Sequence, residues 1–270
     1  MGKKTKIDWC DSSWNPVTGC MHGCKYCYAR GIARRFGAHF GEVDEKTGNV
    51  MDVHVLNEPF QFHASGMING VHIDMGSCGR KIPYPYDFEP TFHRYRLEEP
   101  ARWTKPRTIF VCSMADLFGN WVEDEWITEV LDACRKAPQH RYLFLTKNPQ
   151  RYDDLAKKGL LPGDKNFWYG TSTPTPLDPY WFCDTHNVFT SIEPILAPFG
   201  YYSWREQEVA TMPKWAIIGA ETGNRKDKVV PEKNWITDFA ESCKENGIAV
   251  FMKESLRDLM GGDFRQEFPW

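Results

Sequence analysis

From Pro106 onward the chain alternates short apolar stretches with amphipathic ones, and this alternation limits the fold more than any other feature. The apolar stretches are TIFVCSM (108–114), RYLFLTK (141–147), NFWYGTST (166–173), NVFTSIEPI (187–195), WAIIGAETG (215–223) and IAVFMKES (248–255). They are rich in β-branched and aromatic residues, and apolar positions run on rather than alternate. Such runs suit strands covered on both faces, as in a parallel sheet. Between them lie helical patterns. Val122, Trp126, Ile127, Val130, Leu131 and Cys134 recur at helical spacing, and so do Trp235, Ile236, Phe239 and Cys243. Pro231 suits a first helical position and Gly247 a C-cap. A shorter helix is expected from Asn148-Pro149, and another through ARGIARRFG (29–37). Strand–helix alternation implies right-handed βαβ units. A first strand near NPVTG (15–19) brings the count to about seven. The expectation is an α/β protein, a partial or full TIM-like (β/α) barrel, and 270 residues suit one such domain.

The rhythm breaks between Gly41 and Pro90. GEVDEKTGNVMD (41–52) reads as a turn-rich excursion, and VHVLNEPFQFH (53–63) with NGVHIDMGS (69–77) as the strands of a hairpin. Residues 41–90 are therefore expected to be an insertion on the barrel, placed like a lid. No apolar run approaches the roughly 18–20 residues of a membrane span. The polar start MGKKTKIDWCDSSWNP is not a signal peptide. The chain reads as cytoplasmic, with no membrane partner. Its net charge of −3 excludes a global polycation, so any nucleic-acid contact must come from a local basic patch.

Nine cysteines without framework spacing argue against a disulfide scaffold and for metal binding or catalysis. Three of them, Cys20, Cys24 and Cys27, fall within GCMHGCKYCYA (19–29). Core packing is a poor reading of so polar a stretch. Structural zinc wants four ligands, typically from paired C-x2-C or Cys/His elements. No second C-x2-C pair exists, although His22 lies within the loop. Iron–sulfur clusters are held by cysteine thiolates, normally four, so three leave one iron open. Tyr26, before Cys27, is placed to pack over such a centre. Zinc and iron–sulfur both remain open on spacing alone, and spacing favours the second.

Polar residues gather where the strands end. They are Ser113 and Asp116; Thr146 and Lys147; Thr171, Ser172 and Thr173; Ser191 and Glu193; Glu221 and Thr222; Lys253 and Glu254. In an α/β barrel that rim carries the active site. Lys147 is placed to pair with Glu193 or Glu221, or to bind an anion. Arg30, Arg34 and Arg35, with Lys25, read first as a solvated helix face.

C-x3-C-x2-C with an aromatic before the last cysteine, after the first strand of an expected barrel, resembles the radical S-adenosylmethionine (SAM) enzymes. The whole chain resembles, more specifically, a phage-associated three-cysteine-motif family of unassigned function, through IDWCDSSWNPVTGC, CKYCYA, FEPTFHRYRLEEPARWTKPRTIFVCSMADLFG, APQHRYLFLTKNPQRY, WAIIGAETG and VFMKES. The resemblance implies that Cys20, Cys24 and Cys27 hold a [4Fe-4S] cluster. SAM would chelate the open iron, and an electron from an external donor would cleave it to a 5′-deoxyadenosyl radical that abstracts hydrogen from a substrate. Tyr26, Ser113, Asp116, Thr171 and Ser172 are the expected cofactor contacts, with Glu193, Lys147 and Glu221 at the substrate. Radical SAM enzymes usually carry a Gly-Gly-Glu-like motif at the second strand. Here Gly219-Ala220-Glu221 falls at a late strand, and that role is not transferred. Asp116 divides evenly between a cofactor contact and a helix cap. A nucleic acid or nucleotide substrate, a protein partner, and a non-catalytic metal-stabilised nucleic-acid-binding protein all stay open.

Overall fold

The computed structural model describes residues 5–37, 53–68, 71–200 and 212–270. Its elements, in chain order, are β1 (Ser12–Trp14), β2 (Val17–Thr18), α1 (Tyr28–Phe36), β3 (His54–Leu56), β4 (Gln61–Ile68), β5 (Val71–Lys81), β6 (Thr91–His93), β7 (Thr108–Val111), α2 (Asp124–Arg135), β8 (Arg141–Thr146), α3 (Gln150–Lys157), β9 (Phe167–Ser172), β10 (Asn187–Ile192), β11 (Trp215–Ile218), α4 (Lys233–Glu245), β12 (Ala249–Met252) and α5 (Arg257–Met260). Seven strands form one sheet in the order β1-β7-β8-β9-β10-β11-β12, and every pairing is parallel. From β7 on, each new strand joins the same edge, so strand twist accumulates in one direction and curls the sheet into the expected partial barrel.

Side-chain alternation sorts the sheet into two faces. Phe110, Leu143, Trp168, Phe189, Trp215, Ile217 and Phe251 face inward and are buried together, with Trp9 from the N-terminal segment filling the space beside β1 and β12. The intervening residues face the helices. Ile109, Tyr142, Phe144, Phe167 and Tyr169 pack with Trp126, Ile127, Val130, Tyr152 and Leu155. Ile192, Ala216, Ile218, Val250 and Met252 pack with Ile236, Phe239 and Cys243. The C-terminal residues close the base of the barrel. Trp215 Nε1 donates to the Glu267 carbonyl at 2.9 Å, and the Trp270 ring lies 5.1 Å from Trp215 and 5.3 Å from Trp168. These rings cover the interior at the N-terminal ends of the strands.

Several local expectations shift. The barrel strand is β1, three residues before NPVTG; Val17 and Thr18 of that stretch pair instead with β6, which also pairs with β3. The hairpin exists as β4 and β5, but 53–56 lies outside it, on β6. The excursion at 41–52 lies outside the described residues. Helix α4 starts at Lys233 with Glu232 as its N-cap, so Pro231 precedes the cap. Residues 173–186 connect β9 to β10 without a helix, because Pro174, Pro176 and Pro179 break helical hydrogen bonding.

Gly170 faces inward beneath the Phe189 ring, and a Cβ there would stand 2.3 Å from it. Gly170→Ala should cost about 1–3 kcal/mol by overpacking. Adding Phe189→Leu should restore part of that loss. Urea unfolding of the two single variants and the double variant measures the coupling.

Candidate active site

The cysteine loop is pinned at both ends. Gly19 N donates to the Met114 carbonyl at 2.9 Å and Cys20 N to the Phe88 carbonyl at 3.1 Å. Gly19 has φ +86°, and a Cβ there would fall 2.1 Å from the Glu89 carbonyl oxygen, so both conformation and space demand glycine. Cys27 N donates to the Cys24 carbonyl at 3.2 Å, turning the loop into α1. Cys27 is the N-cap of that helix, its Sγ accepting from Arg30 N at 3.4 Å. Cys20 and Cys27 pack against Ala29, Ala33, Phe88 and Met114. Burial pushes the Cys20 thiol up to about 12, so without a metal it is protonated at neutral pH.

Among the described residues, no three His, Cys, Asp or Glu side chains converge on one metal ion. A [4Fe-4S] cluster has a different requirement: each iron takes its own thiolate. Three thiols on one loop, with no carboxylate in the loop, are a donor set that fits it.

Asp116 binds this loop to the sheet. Its buried carboxylate meets His22 Nε2 at 2.7 Å, and accepts from Thr146 Oγ1 at 3.0 Å, Lys147 N at 2.9 Å and Phe118 N at 3.0 Å. Asp116 is not the cap of the following helix, which starts at Asp124 with Glu123 as its N-cap; its Oδ1 closes a local turn onto Phe118 N, and its Oδ2 is taken up by three protein groups. Ser113 Oγ donates to Asn15 Oδ1 at 3.1 Å, and the Ser113 carbonyl accepts from Tyr28 OH at 2.7 Å. Asn15 was not singled out in the sequence, where a short polar residue between strands carries no distinguishing signal.

The inward-facing rim brings together three of the expected residues. Lys147 Nζ donates to Tyr26 OH at 3.0 Å and to Ser172 Oγ at 2.8 Å. The expected pairing of Lys147 with Glu193 or Glu221 is not made. Glu193 forms an ion pair with Lys253, above Gly219, where a Cβ would press on the Lys253 stem at 2.9 Å. Glu221 is gripped by both guanidinium arms of Arg225 at 2.7 Å each. The Arg225 hydrogen bonds hold the Glu221 carboxyl below its usual range against the opposing effect of burial. Ser191 shares the inner face with Ser172, and its buried Oγ has no hydrogen-bond partner. Thr171 does not belong to this group. It shares the face of Phe167 and Tyr169, so its side chain points to the helix layer. Arg30 also leaves the solvated face read for it, lying over the Phe88 ring at 5.1 Å.

Residues 4–257 match the family described as Protein of unknown function (DUF5131), and the chain belongs to that family. No curated protein matches the chain in sequence. In fold it is similar to a solved structure of spore photoproduct lyase complexed with dinucleoside spore photoproduct. The TM-score is 0.54 at 11% identity, over 94% of this chain and 79% of that one. At that identity the likeness is one of fold. It supports the parallel α/β partial barrel. No described helix is long and apolar enough to cross a membrane.

Two outcomes follow from these contacts. Asp116→Ala strands the buried Lys147 and Phe118 amides, each worth about 1–3 kcal/mol. His22→Ala leaves those amides paired and should cost less, as comparison of the two urea midpoints will measure. Glu221 has a depressed pKa in the folded state. Its contribution is therefore full above the unfolded value of about 4.3 and fades as pH falls through the folded value. Glu221→Gln should flatten the acid limb of stability against pH, read by urea unfolding between neutral and acid pH.

Proposed function

We propose that this chain is a radical SAM enzyme acting on a nucleotide or nucleic acid. The observation that carries the reading is the placement of Cys20, Cys24 and Cys27 on one pinned loop at the C-terminal rim of a partial barrel whose base is closed. These three thiols would hold a [4Fe-4S] cluster. When bound, that cluster supplies the electron for reductive cleavage of SAM, drawn from an external donor.

The chain's own residues set up the surroundings. Tyr26 stands between Cys24 and Cys27 and joins the loop to β8 through Lys147. Burial and the neighbouring thiols raise the Tyr26 phenol, so its hydroxyl stays a neutral hydrogen-bonding group. Lys147 and Ser172 offer a cation and a hydroxyl to an anionic group. Ser191, with its unmatched hydroxyl, offers one more hydrogen bond to a ligand in the interior. Glu193 and Lys253 are a second charged pair on that face. The sealed aromatic base excludes water from below, which a reactive radical requires. Asp116, Ser113 and Thr171 serve the architecture rather than the ligand. The nucleotide assignment rests on the fold match to a lyase whose complex holds a dinucleoside.

The experiment is anaerobic reconstitution with iron and sulfide, then dithionite and SAM. A SAM-dependent change in the EPR signal of the reduced protein, with formation of 5′-deoxyadenosine, is the expected result. Stoichiometric zinc binding with neither response would overturn the reading. Cys24→Ala should abolish iron loading and 5′-deoxyadenosine together. Lys147→Ala should retain iron while reducing substrate-dependent turnover by at least tenfold, measured by iron content and product analysis.

A further inference from the structure

A second cleft opens at the opposite end of the barrel from the cysteine loop. It has a volume of about 380 Å³ and is framed by the N-terminal ends of β7, β8 and β9 and the residue before β1. Its charged lining residues are Arg107, Arg141, Lys165 and Asp11, a formal sum of two positive charges in a chain whose net charge is −3. Among the described residues, neither arginine nor Lys165 has a carboxylate within ion-pair distance. Asp11 directs Oδ2 to Thr108 N at 2.7 Å instead.

Both guanidinium groups are held in place by neutral partners. Arg107 lies over the Trp103 ring at 5.0 Å and donates from Nη1 to Ser12 Oγ at 2.9 Å. Arg141 lies over Trp270 at 4.0 Å and donates from Nη1 to Thr108 Oγ1 at 3.2 Å. A guanidinium carries five N–H donors, so each keeps most of them free while its plane is fixed. Burial lowers the Arg141 pKa, with the nearby Asp11 carboxylate opposing it, as for a cation partly stripped of water. His140 also lines the cleft. It is 1% exposed, its ring packs against Trp103 and Tyr142, and its Nε2 lies 3.0 Å from the Pro100 carbonyl and 3.2 Å from the Gln139 amide nitrogen, so it supports the cleft wall.

We propose that this basal cleft is a phosphate-binding site, with Arg107, Arg141 and Lys165 gripping the oxyanion. Oriented guanidinium forks match phosphate geometry, and the volume falls in the range of small-molecule sites. The same phosphate chemistry is presented by a free nucleotide and by a nucleic-acid backbone. The site is separate from the rim, and it stands or falls independently of the radical SAM reading.

The test is isothermal titration calorimetry of the full chain with inorganic phosphate, AMP and a single-stranded DNA oligonucleotide. AMP should bind at one site and more tightly than inorganic phosphate. Arg107→Gln and Lys165→Gln should each weaken it at least fivefold, and Arg141→Gln more, with the thermal midpoint of Lys165→Gln unchanged. An oligonucleotide that binds no tighter than AMP identifies a small phosphorylated ligand. Tighter oligonucleotide binding that falls steeply with salt, and weakens in the same variants, identifies a backbone. Absence of saturable binding by all three probes would overturn the proposal. So would binding left unchanged in Arg107→Gln and Lys165→Gln.

Discussion

The buried carboxylate of Asp116 is the constraint on which the rim depends. It sits where β7 runs into its loop, meets His22 of the cysteine loop, and accepts from the backbone and side chain at the end of β8. A carboxylate with this many partners is inexpensive to bury, and an empty place in the set would be costly. It therefore fixes the height of the cysteine loop above the barrel and the direction from which Lys147 enters it. Tyr26 and Ser172 complete that placement through the Lys147 ammonium. The loop and the sheet thus form one rigid rim without any direct strand pairing between Cys20 and Cys27.

Beneath the rim, aromatic packing governs. Rings from β7, β9, β10, β11 and β12 fill the interior, and the C-terminal Phe268 and Trp270 close it from below. Large rings of this kind bury on the order of 150–250 Å² each. Ser172, Ser191 and Lys147 add polar groups to this face toward the open end. Aromatic packing below and hydrogen-bonding groups above make the two ends of the barrel chemically different. The same closure turns Arg141 outward, onto the face of Trp270, and so shapes the basal cleft.

Much of the fold was legible in the sequence because its periodicities are strong. Six of the seven sheet strands lie within the stretches read as apolar runs, and α2 and α4 follow stripes of buried residues. The first strand was misplaced by three residues. Ser12-Ser13-Trp14 is too short and polar to signal a strand, and becomes one only because β7 offers an unpaired edge. Thr171 was grouped with Ser172 because neighbouring residues look alike in sequence. The period-two alternation of a strand sends them to opposite faces.

The sequence by itself determined the parallel sheet, the cysteine loop and the concentration of polar residues at strand ends, since each is a local pattern. Which polar residues meet was decided only by the tertiary structure. Lys147 finds Tyr26 and Ser172 rather than a glutamate, Glu193 finds Lys253, and Glu221 finds Arg225 four residues away. Charge pairing depends on distances of a few ångströms between strand ends. Those distances are set by sheet register and curl, which no single stretch of sequence encodes.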